Sequence, residues 1–229
     1  MPENIDIFLL MGQSNMAGRG PMDELEPLDN ENILMMRHGN WVKAVEPLHQ
    51  DKPVARCGLS MSFAQQLLNE GESELVGLVA CAVGGTSLEE WRPGGYLYRR
   101  ALFEADEAVK SGTIRGILWH QGESDSYEEK DATTYEERFV EMMGSFRRKI
   151  ENESVPVVVG ELGAFLKARE DLAHFETVNE ALRRLPDSFP HTGFSSAGGL
   201  VDLGDDIHFD TKSLREFGRR YAAEYLELV

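Results

Sequence analysis

Four short motifs in this chain bring together residue types that can do acyl-transfer chemistry. The first is Met11-Gly12-Gln13-Ser14-Asn15-Met16-Ala17-Gly18, directly after an apolar run at residues 5–10. A buried strand that ends in Gly-Gln-Ser-Asn puts a serine hydroxyl on a tight turn at the carboxyl edge of a sheet, where parallel α/β sheets bind their ligands. Such a serine is a nucleophile when a base and an oxyanion hole converge on it. The second motif, Asp205-Asp206-Ile207-His208, offers that base. Asp205 precedes His208 by three residues, so one turn of chain brings its carboxylate to Nδ1, fixes the tautomer and stabilises the imidazolium.

The other two motifs lie between these. Ala82-Val83-Gly84-Gly85-Thr86-Ser87 has two glycines that let a backbone N–H approach a ligand atom. It lacks the glycine fingerprint of a dinucleotide site, so no cofactor is expected. Trp119-His120-Gln121-Gly122-Glu123-Ser124-Asp125 crowds functional side chains around one glycine at a strand end, with His120 placed to support its neighbour. Each motif alone also reads as a plain turn, loop or helix cap. Three motifs after strands and Asp-x-x-His before the last helix, all facing one edge, favour nucleophilic hydrolysis.

The elements that must position them can be read from periodicity. Continuous apolar, β-branched runs at residues 5–10, 33–36, 75–83, 114–120 and 155–160 suit strands buried on both faces, with a shorter sixth near 193–196. Helical stripes intervene: Phe63, Ala64, Leu67 and Leu68; Leu97, Ala101, Leu102, Ala105 and Val109; Tyr135, Phe139, Met142, Phe146 and Ile150. A fourth, from Leu172 to Leu185, should stop at Pro186, and a last one from Leu214 to Tyr225 starts behind Asp210 as N-cap. This alternation predicts an α/β fold with a parallel sheet covered on both sides, over one domain spanning residues 1–229. Residues 12–32 and 37–58 read as long loops at the active edge.

Composition narrows the partners. A formal net charge of −17 opposes binding to nucleic acid or an anionic membrane surface. Cys57 and Cys81 make no disulfide framework, and Cys81 reads as a small core residue. The remaining histidines, His38, His49, His174 and His191, lack metal-ligand spacing, so no metal is expected. No apolar stretch is long enough for a leader or a membrane span, which makes a cytoplasmic protein the default.

Taken together, Gly12-Gln13-Ser14-Asn15-Met16, Gly84-Gly85-Thr86-Ser87, Trp119-His120-Gln121-Gly122-Glu123-Ser124 and Asp205-x-x-His208 resemble the SGNH hydrolases. Within them the set is similar to the sialate O-acetylesterase-like branch, carbohydrate esterase family six, which includes acetylxylan esterases. The match continues through Glu89-Glu90-Trp91-Arg92-Pro93-Gly94-Gly95. The resemblance implies a flavodoxin-like three-layer α/β/α sandwich around a five-stranded parallel sheet. It implies removal of O-acetyl groups from a small-molecule or oligosaccharide substrate such as acetylated xylan or sialic acid, without cofactor. It makes Ser14 the nucleophile, His208 the general base and Asp205 its orienting acid. The oxyanion donors would be the Ser14 and Gly85 N–H groups and the Gln121 side chain, with Gly84 the alternative to Gly85. Glu123 is either a second acid for His208 or a loop-pinning residue. Gln13, Trp91, Arg92 and Trp41 are candidates for sugar contacts. Two other readings remain: a lipase or thioesterase acting on longer acyl chains, and an inactive carbohydrate-binding protein.

Overall fold

The structure, a computed structural model, describes residues 4–229. In chain order its elements are β1 (Ile5–Gly12), α1 (Ser14–Ala17), β2 (Ile33–Arg37), β3 (Asn40–Lys43), α2 (Ser60–Glu70), β4 (Val76–Ala80) and α3 (Tyr96–Ala108). There follow β5 (Gly112–His120), α4 (Glu129–Thr133), α5 (Tyr135–Lys149), β6 (Val157–Gly160), α6 (Phe175–Ser188), β7 (Thr192–Ser195) and α7 (Thr211–Leu226).

The apolar run of β1 is continuous because both of its faces are covered. Ile5, Ile7, Leu9 and Met11 point into one core with Ala101, Phe139, Phe146 and Leu182 of α3, α5 and α6. Phe8 and Leu10 point into a second core with Phe63 and Leu67 of α2 and Phe217 and Tyr221 of α7. Helices on both faces of a sheet give three layers. Phe8 anchors the second core edge-on, with ring centroids 4.9 Å from Phe63 and 5.1 Å from Tyr225.

The sheet has seven strands in the order β3-β2-β4-β1-β5-β6-β7, not the five implied by the family resemblance. Six are parallel, and β7 is the short sixth run expected near residues 193–196. β3 is the strand not foreseen. It pairs antiparallel with β2 across the His38–Gly39 turn, and its four residues alternate between exposed and half-buried. An edge strand so short and polar leaves no apolar run to read. Pro186 is also no stop: α6 carries it in its last turn and ends at Ser188. It lacks only the N–H that would bond the Leu182 carbonyl, and the helix runs just two residues beyond it.

β1 lies at the centre between β4 and β5, and the three end together on the carboxyl edge. Gly12 closes β1 with φ +124°, and a Cβ there would sit 2.1 Å from the His120 carbonyl oxygen. Only glycine lets the chain leave β1 this close to β5. Among the described residues, no helix is long and apolar enough to cross a membrane.

Candidate active site

The first turn beyond β1 presents Ser14. The Gln13 N–H continues the ladder to the His120 carbonyl at 2.8 Å, and the chain then winds into the single turn of α1. The Gln13 carbonyl accepts from the Met16 and Ala17 N–H groups at 3.1 and 2.9 Å. The Ser14 N–H, in the opening turn, has no acceptor within its own helix.

The segment before α7 brings the imidazole. His208 Nε2 lies 3.0 Å from Ser14 Oγ, and His208 Nδ1 lies 2.7 Å from Asp205 Oδ2. The other oxygen of Asp205 accepts the His208 and Ile207 backbone N–H groups at 2.8 and 3.0 Å. A carboxylate only accepts, so the imidazole proton sits on Nδ1 and the Nε2 lone pair faces the hydroxyl. Burial works to raise the Asp205 carboxyl, but the His208 and Ile207 N–H groups and the adjoining imidazole outweigh it and hold the group below its usual range. Asp210 caps α7 by accepting the Ser213 N–H at 2.7 Å, which fixes the chain immediately after His208.

Asn15 joins these two segments. Its Oδ1 accepts the Phe209 N–H at 3.1 Å, and its Nδ2 donates to the Ile207 carbonyl at 3.0 Å. The same Nδ2 donates to Glu123 Oε1 at 2.5 Å. His208 is therefore clasped on both sides in sequence by the residue next to Ser14. Among the described residues Glu123 makes no hydrogen bond or ion pair with His208; it lines the same cavity, buried beside Asn15, with His120 Nε2 at 3.7 Å. Burial opposes its charge, yet His120 and Asn15 hold its carboxyl below the usual range. His120 itself is walled by the edges of Phe209 and Phe217, with Nδ1 3.1 Å from the Tyr221 hydroxyl.

The Gly84–Gly85 loop after β4 forms the opposite wall. The Gly84 N–H donates to Asp51 Oδ2 at 2.8 Å and is thereby used up. Asp51 is in turn ion-paired with Arg19 at 2.7 Å, both side chains being almost fully buried. The Gly85 N–H has no acceptor among the described residues, and φ +76° turns the loop there. Of the two glycine N–H groups, only that of Gly85 is available to a ligand.

Gln121 does not line the cavity. It is fully buried, and its amide nitrogen donates to Asp125 Oδ2 at 2.6 Å and to the Thr86 carbonyl at 3.1 Å. The Tyr135 hydroxyl lies 3.0 Å from its oxygen. Gln13 presents its amide there instead. Its Oε1 receives the Gln121 Nε2 at 3.2 Å and the Ser124 and Gly122 N–H groups at 3.3 and 3.5 Å. Backbone N–H groups can only donate, so the Gln13 oxygen must face them. Its Nε2 then has no acceptor among the described residues, and Gln13 lines the cavity beside Ser14.

The cavity over Ser14 has a volume of about 250 Å³. Its remaining walls include Lys52, Val54, Tyr127 and Ile207, none of which stands out in the sequence. Trp91 and Arg92 lie elsewhere. Trp91 is fully buried, with Nε1 3.2 Å from Thr86 Oγ1 and its ring edge-on to Trp119. Arg92 is exposed and paired with Glu89 at 2.6 Å. Trp41 lies on β3, near Gly77 and away from the cavity. A Trp-Arg pair in a polar loop looks like a sugar platform, but the tryptophan is core.

Sequence reasoning also missed Arg19 and Asp51, whose types are ordinary and whose pairing spans 32 residues. Among the described residues, no three His, Cys, Asp or Glu side chains converge as a metal site. What the geometry offers is a hydroxyl, an imidazole and a carboxylate in series beneath free N–H donors, an arrangement suited to acyl transfer.

Known proteins share this architecture. Residues 4–227 match the family model of carbohydrate esterases described as sialic acid-specific acetylesterase. A probable carbohydrate esterase of Arabidopsis thaliana is 32% identical over 99% of this chain and 92% of its own length. A solved Arabidopsis thaliana structure superposes with a TM-score of 0.89 at 31% identity, covering 97% of this chain and 98% of that one. NanS shares the fold at a TM-score of 0.80 and 16% identity, over 99% and 98% of the two chains. A carbohydrate acetylesterase from Xanthomonas citri does so at 0.67 and 21%, over 95% of this chain and 55% of the other. With its SGNH-like sheet and its motifs at the carboxyl edge, this chain belongs to the sialic acid-specific acetylesterase family of carbohydrate esterases.

Proposed function

We propose that this protein is a serine esterase that removes O-acetyl groups from carbohydrates through an acetyl-enzyme. The observation that carries the reading is the unbroken series from Ser14 Oγ through His208 to Asp205, with spacings of 3.0 and 2.7 Å, opening on a cavity. His208 Nε2 takes the Ser14 proton as Oγ attacks the ester carbonyl. The negative charge that develops on the carbonyl oxygen is met by the Ser14 and Gly85 N–H groups and the Gln13 amide. Each such donor contributes about 2.7–4 kcal/mol to the transition state. The tetrahedral adduct collapses, the sugar hydroxyl leaves with the proton from His208, and Ser14 carries the acetyl group. Water enters, gives a proton to His208 and attacks the acetyl carbonyl, and Ser14 regains its proton as acetate departs.

Asp205 is the acid partner of His208 in this account, because Glu123 faces Asn15 and His120 instead. A cavity of this size suits a short acyl group. Hydrolysis of 4-nitrophenyl acetate, butyrate and octanoate by wild type and Ser14→Ala, with chelator present, tests the reading. Acetate should be cleaved fastest, chelator should change nothing, and Ser14→Ala should lose about 10⁴-fold or more in kcat. Preference for octanoate would place the protein among long-chain acyl hydrolases. Sugar binding with no serine-dependent cleavage of any ester would make it a binding protein.

A further inference from the structure

A second cavity, of about 200 Å³, opens at the same sheet edge on the far side of Asp51. It lies at the carboxyl ends of β2 and β4, bounded by Arg37, His49, Asp51, Ala80 and Arg100. Its cations are unusual for so acidic a chain. The Arg37 guanidinium donates to the Pro47 carbonyl at 2.7 Å and that of Arg100 to the Cys81 carbonyl, and among the described residues neither makes an ion pair. Asp51, in the same wall, is already committed to Arg19 and the Gly84 N–H. Glu104 also lines the cavity but pairs with neither arginine.

His49 also lines this cavity, but not through its free nitrogen. It is 2% exposed, and its Nε2 is buried without a hydrogen-bond partner. Two guanidiniums without a carboxylate partner at one void are complementary to a planar or tetrahedral oxyanion. We propose that this cavity binds a small oxyanion, a carboxylate or phosphate group, between Arg37 and Arg100, with His49 in the wall beside it. The group is carried either by an acidic sugar substrate or by a separate small molecule. Asp51 links the site to the acyl-transfer cavity, since its carboxylate holds the residue next to Gly85.

Calorimetric titration of sodium acetate, sodium glucuronate and inorganic phosphate at constant ionic strength tests the proposal. It needs no turnover, so its failure is separable from failure of the esterase reading. Wild type should bind at least one probe saturably, and Arg37→Gln and Arg100→Gln should each weaken binding about tenfold or more. The imidazole resonances of His49 in the wild-type protein should shift with the same saturation, a readout that requires no variant to fold. Lys52→Gln, which alters only the neighbouring cavity, should leave binding unchanged.

Two substrates then separate the sources. If Arg100→Gln lowers kcat/KM for an O-acetylated methyl glucuronide but not for the matching methyl glucoside, the oxyanion belongs to the substrate. If both esters are hydrolysed as by wild type while free-anion binding is lost, it belongs to a separate molecule. Absence of saturable binding by all three probes, or its loss in Lys52→Gln alone, would overturn the proposal.

Discussion

At the scale of single residues, division of labour among the polar groups follows from what each already holds. Asp205 is hydrogen-bonded to His208, whereas Glu123 is bonded to Asn15 instead. Asp205→Asn should therefore lower kcat by about 10²–10⁴-fold, as loss of the correct tautomer does elsewhere, and Glu123→Gln should cost less; steady-state kinetics on one acetyl ester compares them. The same reasoning separates Gln13 from Gln121. Gln13→Ala removes a free donor beside Ser14, so kcat should fall about 10²–10³-fold with KM little changed. The convergence of Ser14, His208 and Asp205 was legible in the sequence because a serine just past a buried strand and a histidine three residues after an aspartate are recognisable patterns. Gln121 was misleading for a physical reason: its amide is saturated by Asp125 and Thr86, and saturation cannot be read from a motif.

At the scale of elements, the site depends on straps between loops more than on any one loop. Asn15 binds the segment around His208, and Arg19 with Asp51 binds the Gly84–Gly85 loop. Removing one partner of a buried pair leaves the other charge uncompensated. Arg19→Met should therefore destabilise the fold by about 3–5 kcal/mol, measured as a shift in the urea midpoint. Activity should fall as well, because Asp51 then loses the partner that steadies it against the Gly84 N–H. The strands that bear the motifs were readable because β1, β4, β5 and β6 are buried on both faces. The antiparallel β3 was not, since half of its residues face solvent and its pairing is decided by the His38–Gly39 turn. The straps were invisible for a related reason: their partners are common residue types joined only by the fold.

At the scale of the whole molecule, the central sheet places every part of the proposed machinery on one edge while its buried groups set the response to acid. Burial pushes the His49 imidazole down to about 4, despite the nearby Asp51 charge. Folded His49 thus stays neutral where the unfolded residue, with a pKa near ~6.5, takes up a proton. The stability it contributes is complete above about pH 6.5 and is lost progressively as pH falls toward about 4, of order 3 kcal/mol in all. Urea midpoints measured from pH 7 to pH 4 should fall over that window, and His49→Gln should flatten the slope. The most direct test of the whole account is to treat the protein with a reactive alkyl phosphonate ester and locate the adduct by peptide mass mapping. The account predicts one adduct, on Ser14, formed far more slowly in His208→Ala. An adduct on another residue, or full esterase activity after Ser14 is replaced by alanine, would contradict it.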